Sequence, residues 1–172
     1  METYLIVTVS DDGFIRDGNK IPFEKQPRDM EYFNQRTLYA DKTKTPVVVM
    51  DSKKFDTLKK PLTSRYNIVV TSSEHIVKLP DVIYANSLEQ ALSEARKLTS
   101  HAYIIGGAEI YKQALESDVV DAIFITRVLA TVEGDTFFPP IDETRFENKL
   151  YHDHASDADK AYAMRFETWV RI

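Results

Sequence analysis

Cysteine is absent from this chain of 172 residues. Without it the chain has no disulfide bond, thiolate metal ligand or cysteine nucleophile, and such a composition fits the cytoplasm. The sequence also lacks an apolar run of the roughly 18 residues that a membrane-spanning helix needs. No basic stretch precedes the apolar residues near the N-terminus, so we expect no signal peptide. These absences favour a cytoplasmic protein without a membrane partner.

Basic residues are fewer than acidic residues, 22 against 27, and the net charge is −5. A nucleic-acid-binding surface needs clustered lysine and arginine, so this balance argues against a nucleic-acid partner. Only five glycines and seven prolines are present, which argues against a long linker. The length suits one hydrophobic core, and we expect a single domain over residues 1–172. No predicted helix has an apolar face left over for a contact with a second chain, so we expect a monomer.

Six short apolar runs rich in β-branched residues are typical of strands that are covered on both faces of a sheet. They span residues 4–9, 47–50, 68–70, 82–84, 103–105 and 123–126. From Tyr162 onward, apolar and polar residues alternate with the period of an antiparallel strand. We expect this last strand to form a hairpin with residues 146–152.

Apolar residues at helical spacing lie between the strands. They predict helices over residues 29–40, 52–58, about 88–98 and about 108–116, with Ser87 as an N-cap and Gln90 in the capping-box position. The alternation of strands and helices predicts an α/β fold, a three-layer sandwich with a mostly parallel central sheet and an antiparallel C-terminal edge hairpin. Ligands of such sheets bind at the carboxyl ends of the strands.

Two glycines, Gly106 and Gly107, follow one buried strand and precede a helix. Residues without a Cβ let a ligand approach the backbone closely, and a helix N-terminus favours an anion. The motif alone is equally typical of a tight strand-to-helix turn, so it leaves both interpretations open.

Asp29 begins the first long helix, with Met30 beside it and Phe33 one turn later. A carboxylate can accept two parallel hydrogen bonds from an amino-pyrimidine edge while an aromatic ring packs on the heterocycle. An acid at this position is also an ordinary cap or dipole partner of the helix. The residues alone do not decide between these roles.

Ordered motifs along nearly the whole chain resemble those of dihydrofolate reductases. The segments that carry the resemblance are residues 18–23 (GNKIPF), 29–30 (DM), 32–33 (YF), 37–38 (TL), 48–50 (VVM), 61–62 (PL), 65–70 (RYNIVV), 105–111 (IGGAEIY), 133–136 (EGDT) and 138–139 (FP). The resemblance implies one domain of that fold. It also implies NADPH-dependent reduction of 7,8-dihydrofolate to tetrahydrofolate, with hydride transfer to C6 and protonation at N5.

The same resemblance assigns catalytic and substrate-binding roles. Asp29 would bind the 2-amino group and N3 of the pterin and promote protonation at N5, Thr126 would support Asp29, and Tyr111 would lie near the nicotinamide. Arg65 would bind the α-carboxylate of the glutamate tail. The backbone carbonyls of Val7 and Ile105 would meet the pterin amino group. The full set of implied substrate-binding residues is Val7, Thr8, Met30, Phe33, Leu58, Arg65 and Ile105.

For the cofactor, the resemblance implies NADPH and a cis peptide bond between Gly106 and Gly107. The implied cofactor-binding residues are Ile15, Ile21, Ser52, Lys53, Lys54, Thr71, Ser72, Gly106, Gly107, Ala108, Glu109 and Ile110. One departure concerns the 2′-phosphate, because Asp51 and Ser52 stand where the family usually has glycine and arginine. Lys53, Lys54 or Ser72 are the candidates to replace that arginine, and the use of NADH stays open.

Three further interpretations follow from the sequence. A reductase of the same fold acting on another pyrimidine or pterin is one alternative, because fold does not fix function. A second alternative is a pterin- or nucleotide-binding protein that has lost catalysis. The change at Asp51 is the main reason to consider it. His152 and His154 have the composition of a metal site, but a polar hairpin is favoured, and we expect no metal.

Overall fold

The computed structural model describes residues 1–16, 27–39, 45–72, 78–129, 136–154 and 163–172. The side chains of residues 16, 27–31, 39 and 150–154 lie outside the described part. Ten strands and four helices follow one another in the described chain. In order they are β1 (Glu2–Ser10), β2 (Phe14–Arg16), α1 (Pro27–Tyr39), β3 (Val47–Asp51), α2 (Ser52–Leu58), β4 (Tyr66–Val70), β5 (Val82–Ala85), α3 (Leu88–Arg96), β6 (His101–Gly106), α4 (Ala108–Glu116), β7 (Ala122–Val128), β8 (Thr136–Phe137), β9 (Phe146–His154) and β10 (Met164–Arg171).

Eight of these strands form one sheet in the order β5-β4-β3-β6-β1-β7-β10-β9. The pairs from β5 to β7 are parallel, whereas β10 is antiparallel to both β7 and β9. This confirms the predicted mostly parallel sheet and its C-terminal hairpin. The small ribbon of β2 and β8 was not predicted, because strands of two or three residues are too short to show a period.

Side chains alternate between two layers, because successive residues of a strand point to opposite faces. Leu5 and Val7 of β1 pack in the hydrophobic cluster that contains the buried faces of α3 and α4. Ile6 packs in the opposite cluster, which contains Phe33 of α1 and Leu58 of α2. We name these the α3/α4 layer and the α1/α2 layer, and together with the sheet they make the predicted three-layer sandwich.

The starts of the helices follow from local hydrogen bonds. Asp51 caps α2, since its Oδ1 accepts from Lys54 N at 2.8 Å. Ser87 caps α3 as predicted, with Oγ accepting from Gln90 N at 3.1 Å. Helix α4 differs because its N-cap is Gly107, which has no side chain to offer. No helix in the described ranges is both long and apolar enough to cross a membrane.

The sheet opens at one point along its carboxyl edge. The register of β1 with β6 ends at the pair Leu5–Ile104, whereas the register of β1 with β7 continues to Ser10–Val128. The backbone of β1 beyond Leu5 is therefore paired on one side only. A cleft between β1 and β6 follows, at the carboxyl ends where open α/β sheets bind their ligands.

A buried ion pair joins the antiparallel hairpin to the parallel strands. Glu167 of β10 is 5% exposed, and its carboxylate accepts hydrogen bonds from Arg127 Nε at 2.9 Å and from Trp169 Nε1 at 2.9 Å. Burial alone raises the pKa of Glu167. The hydrogen bonds from Arg127 and Trp169 and the charges of Arg127 and Arg165 outweigh it, so the pKa of this carboxyl lies below its usual value.

We expect Glu167→Gln to lower the free energy of unfolding by about 3 kcal/mol, because it leaves the Arg127 guanidinium without its carboxylate. Urea unfolding near neutral pH measures the loss. The carboxyl has a lower pKa in the folded chain than in the unfolded chain. Its contribution is therefore complete above the unfolded value and disappears as the pH falls through the folded value. The difference between wild type and variant should shrink accordingly in acid.

Glu147 on the neighbouring strand β9 provides a matched control. It pairs with Lys149 at 2.7 Å, but both side chains are about half exposed. Exposed pairs contribute little, so Glu147→Gln should cost about 0.5 kcal/mol or less. Equal losses in the two variants would contradict a special role for the buried pair.

Candidate active site

Tyr111 of α4 reaches into the opening between β1 and β6. Its hydroxyl lies 2.8 Å from the carbonyl oxygen of Ile6 and 2.8 Å from that of Ile105, and it donates to them. Both carbonyls come directly after the last paired residues, Leu5 and Ile104. Since one hydroxyl serves two carbonyls, most of the acceptor capacity of those oxygens stays available. The floor of the cleft is thus a pair of backbone acceptors held by one buried tyrosine.

The position of Val7 differs from the sequence expectation. Its side chain packs in the α3/α4 layer, on the far side of the sheet from α1. The carbonyl that lies beside that of Ile105 at Tyr111 belongs to Ile6, one residue earlier. The alternation along β1 sets this assignment, because Ile6 and Thr8 share one face and Val7 the other. That alternation was the available signal for Ile6.

An apolar wall stands over the cleft in the α1/α2 layer. Phe33 of α1, Leu58 of α2 and Ile105 of β6 belong to one hydrophobic cluster, as their predicted shared role requires. Asp29 lies in the first turn of α1 together with Met30, and the side chains of both fall outside the described part. The wall and the first turn of α1 therefore lie on the same side of the sheet.

Two threonines lie near the carboxyl ends of neighbouring strands on this same face. Thr8 of β1 is paired in register with Thr126 of β7, two residues beyond the pair Ile6–Phe124. Thr126 is 1% exposed. Its hydroxyl has no hydrogen-bond partner within the portion of the chain that is described. A buried hydroxyl needs a partner, so Thr126 is suited to bind a polar group at this point.

Arg65 lies at the other end of the apolar wall, half-buried beside α1. Its Nη1 donates to Thr37 Oγ1 at 2.7 Å and to Asn34 Oδ1 at 3.2 Å, and its Nε donates to Thr63 O at 2.9 Å. The guanidinium lies over the Phe33 ring, with Cζ 5.8 Å from the ring centroid. These neutral acceptors orient the positive charge toward the α1 edge of the cleft.

The glycine pair directly follows Ile105, where β6 ends and α4 begins. The peptide bond between Gly106 and Gly107 is cis, as predicted. Gly107 is buried and leaves the first N–H groups of α4 without a side-chain cap. Free N–H groups at a helix N-terminus bind phosphate oxygens well, so the donors here fit the diphosphate of a dinucleotide.

The other predicted cofactor-binding residues are distributed along the same edge. Ser52, Lys53 and Lys54 follow β3, and Thr71 and Ser72 follow β4, so all come directly after carboxyl ends of adjacent strands. Ala108 and Glu109 form the first turn of α4. The side chains of Ile15 and Ile110, which were expected to bind the cofactor, are buried in the α3/α4 layer. Ile21 lies outside the described residues.

Metal-binding chemistry has no candidate in the described part of the chain. No group of three or more His, Cys, Asp or Glu side chains gathers there. The side chains of His152 and His154 lie outside the described part, so the polar interpretation of that hairpin stays a prediction.

Comparisons with known proteins agree with this geometry. The sequence model of the family described as dihydrofolate reductase matches residues 2–171. Dihydrofolate reductase type 6 of Proteus mirabilis is 32% identical over 162 residues, which cover 94% of this chain and 96% of the relative. Dihydrofolate reductase of Haemophilus influenzae is 31% identical and covers 94% of both chains.

A solved structure gives the same result for the fold. Dihydrofolate reductase from Enterococcus faecalis, complexed with NADP(H) and RAB-propyl, superposes with a TM-score of 0.85 at 27% identity. The match covers 99% of this chain and 96% of that one. The cleft, the glycine pair and these likenesses over the whole length agree, and the chain therefore belongs to the dihydrofolate reductase family.

Proposed function

We propose that this enzyme reduces 7,8-dihydrofolate to 5,6,7,8-tetrahydrofolate with NADPH, and that the ring of the substrate lies against the Ile6 and Ile105 carbonyls. The observation that carries this proposal is the pair of acceptors held by Tyr111 beneath an apolar wall. Carbonyl oxygens accept hydrogen bonds from ring amino groups, and Phe33 and Leu58 provide surfaces for a flat heterocycle. A pterin ring meets both requirements.

Asp29 is the proposed proton-directing acid of the site. It precedes Phe33 by four residues in α1, the spacing that puts two residues on one face of a helix. A carboxylate that accepts from the 2-amino group and N3 favours a protonated, cationic ring. Protonation at N5 makes C6 electrophilic, which the reduction requires. The buried Thr126 hydroxyl is a suitable partner for this carboxylate.

The cofactor site combines several features of the carboxyl edge. The uncapped N-terminus of α4 would hold the diphosphate, and Lys53, Lys54 or Ser72 would meet the 2′-phosphate. Bound NADPH supplies the hydride that C6 accepts. The Asp51 carboxylate accepts from Lys54 N and so serves the helix. We also propose that the enzyme is a cytoplasmic monomer and that residues 1–172 form one domain.

A spectrophotometric assay tests the proposed activity. Absorbance at about 340 nm, where reduced nicotinamides absorb, should fall when purified enzyme meets dihydrofolate and NADPH, and more slowly with NADH. Decay with another dihydropterin or pyrimidine but not with dihydrofolate would move the enzyme to a different substrate. Folate binding without decay in either cofactor would establish a binding protein instead.

We expect Asp29→Asn to lower the rate of dihydrofolate reduction near neutral pH by about 100-fold or more, because general acid catalysis commonly contributes that much. The deficit should shrink in acid, where solvent protonates N5 directly. Single-turnover rates across the pH range measure both effects. Asp56→Asn, at an exposed position in α2, is the matched control and should keep wild-type rates. An Asp29→Asn enzyme with full activity near pH 7 would remove Asp29 from the mechanism.

The hydrogen bonds of the Tyr111 hydroxyl to the two strand carbonyls require a glycine at position 106. A Cβ at Gly106 would lie 2.9 Å from the Tyr111 hydroxyl oxygen and 3.0 Å from the Tyr111 Cζ. The backbone φ of Gly106 is +114°. We expect Gly106→Ala to lower the free energy of unfolding by about 2–4 kcal/mol through backbone strain and displacement of the tyrosine. Dihydrofolate turnover should fall with it. Thermal and urea unfolding, with the assay above, measure the two losses.

A variant at Gly13 separates the effect of backbone strain from the effect of displacing Tyr111. Its φ is +92°, but a Cβ there would meet its nearest neighbour, a ring carbon of Phe137, at an ordinary 3.7 Å. Gly13→Ala therefore carries the backbone cost alone, about 1 kcal/mol. If both variants lose the same stability, the contact with Tyr111 contributes nothing.

A further inference from the structure

A single buried amide holds the loop that carries Arg65. Asn67 is the second residue of β4 and is 2% exposed, among otherwise apolar strand residues. Its Nδ2 donates to the carbonyl oxygens of Leu62 and Arg65, each at 2.9 Å. Its Oδ1 accepts from Leu62 N, also at 2.9 Å. Both donor hydrogens and the acceptor are thus used on the backbone of one short loop.

The loop needs such a restraint. Ser64 has a φ of +61°, a backbone conformation that L side chains rarely adopt, so the turn is not set by local preference. The Arg65 side chain also donates to the carbonyl of Thr63 within the same loop. Its approach to Asn34 and Thr37 of α1 depends on where the loop holds its Cα atom.

We propose that Asn67 is a positioning residue that acts through Arg65 and sets affinity for the anionic tail of the substrate but not for its ring. The inference rests on the proposed function, in which Arg65 meets the α-carboxylate. Asn67 itself touches the loop backbone and never the ligand. A displaced loop would misalign the two-point contact of a guanidinium with a carboxylate, which is sensitive to geometry. The acceptors at Ile6 and Ile105 lie on other strands and would stay in place.

A comparison of two substrates tests the proposal. One is 7,8-dihydrofolate, and the other is 6-methyl-7,8-dihydropterin, which keeps the ring and lacks the glutamate tail. For Asn67→Ala we expect KM for dihydrofolate to rise about tenfold, the size of one lost charge-assisted contact, with kcat within about twofold. KM for the tail-less pterin should stay within about twofold. KM does not depend on the fraction of active enzyme, so partial unfolding does not imitate this pattern.

Two variants strengthen the test. Asn67→Asp keeps the size of the side chain but turns an oxygen toward the Leu62 and Arg65 carbonyls, and it should show the same selective rise. Ile68→Ala is the matched destabilised control, because Ile68 is fully buried next to Asn67 but packs in the α3/α4 layer. It should change KM for the two substrates by equal factors.

A double-variant cycle identifies the intermediary. In an Arg65→Ala background, Asn67→Ala should change KM for dihydrofolate by less than about twofold, since the residue through which it acts is gone. A full tenfold effect there would overturn the proposal. So would an equal rise for both substrates, or a rise for neither. Wild-type enzyme that fails to reduce dihydrofolate would instead refute the proposed function, and that result comes before any variant is made.

Discussion

The contact between the Tyr111 hydroxyl and two strand ends is the constraint on which the cleft depends. Strands β1 and β6 stop pairing after Leu5 and Ile104, and a buried carbonyl without a partner is costly. One tyrosine from α4 satisfies the first carbonyl of each unpaired end. The same hydroxyl leaves lone pairs of both oxygens available to a ligand. The break in the sheet is thereby stabilised and made into a recognition surface at once.

Along each strand, the central residues stabilise the fold, whereas the residues near the carboxyl end carry the polar groups. Their central residues are almost wholly apolar and fill the two layers on either side of the sheet. Polar groups come near the carboxyl ends, where Thr8 of β1 is paired with Thr126 of β7. Layer identity then separates the apolar wall from the opposite core, since Phe33, Leu58 and Ile105 pack in the α1/α2 layer. Ile105 contributes to this layer, while Val7 supports the opposite one.

Much of the fold was predictable because its signals are local. Apolar runs, helical stripes and the capping serine Ser87 act within a few residues, and all were found where the sequence placed them. The position of the Ile6 carbonyl beside Tyr111 was not predicted, for the opposite reason. Which carbonyl of β1 lies beyond the pairing with β6 depends on where that pairing ends, and that is set by tertiary structure. The hydrogen bonds of Asn67 to the loop backbone were not predicted although a signal existed, since an amide in a buried strand must find partners.

The two ends of the cleft differ in what they can bind, and this difference orients the proposed substrate. At the ring end, the Ile6 and Ile105 oxygens accept hydrogen bonds and cannot donate. At the far end, the Arg65 guanidinium donates and cannot accept. A ring with amino groups and a tail with a carboxylate satisfy both ends in one direction only. In the reversed direction the carboxylate would face carbonyl oxygens and the amino groups would face a cation, so buried polar groups would be left unpaired at both ends. In the proposed complex, orientation of the ring toward the first turn of α1 therefore follows from the polarity of the cleft, before any contact made by Asp29 is considered.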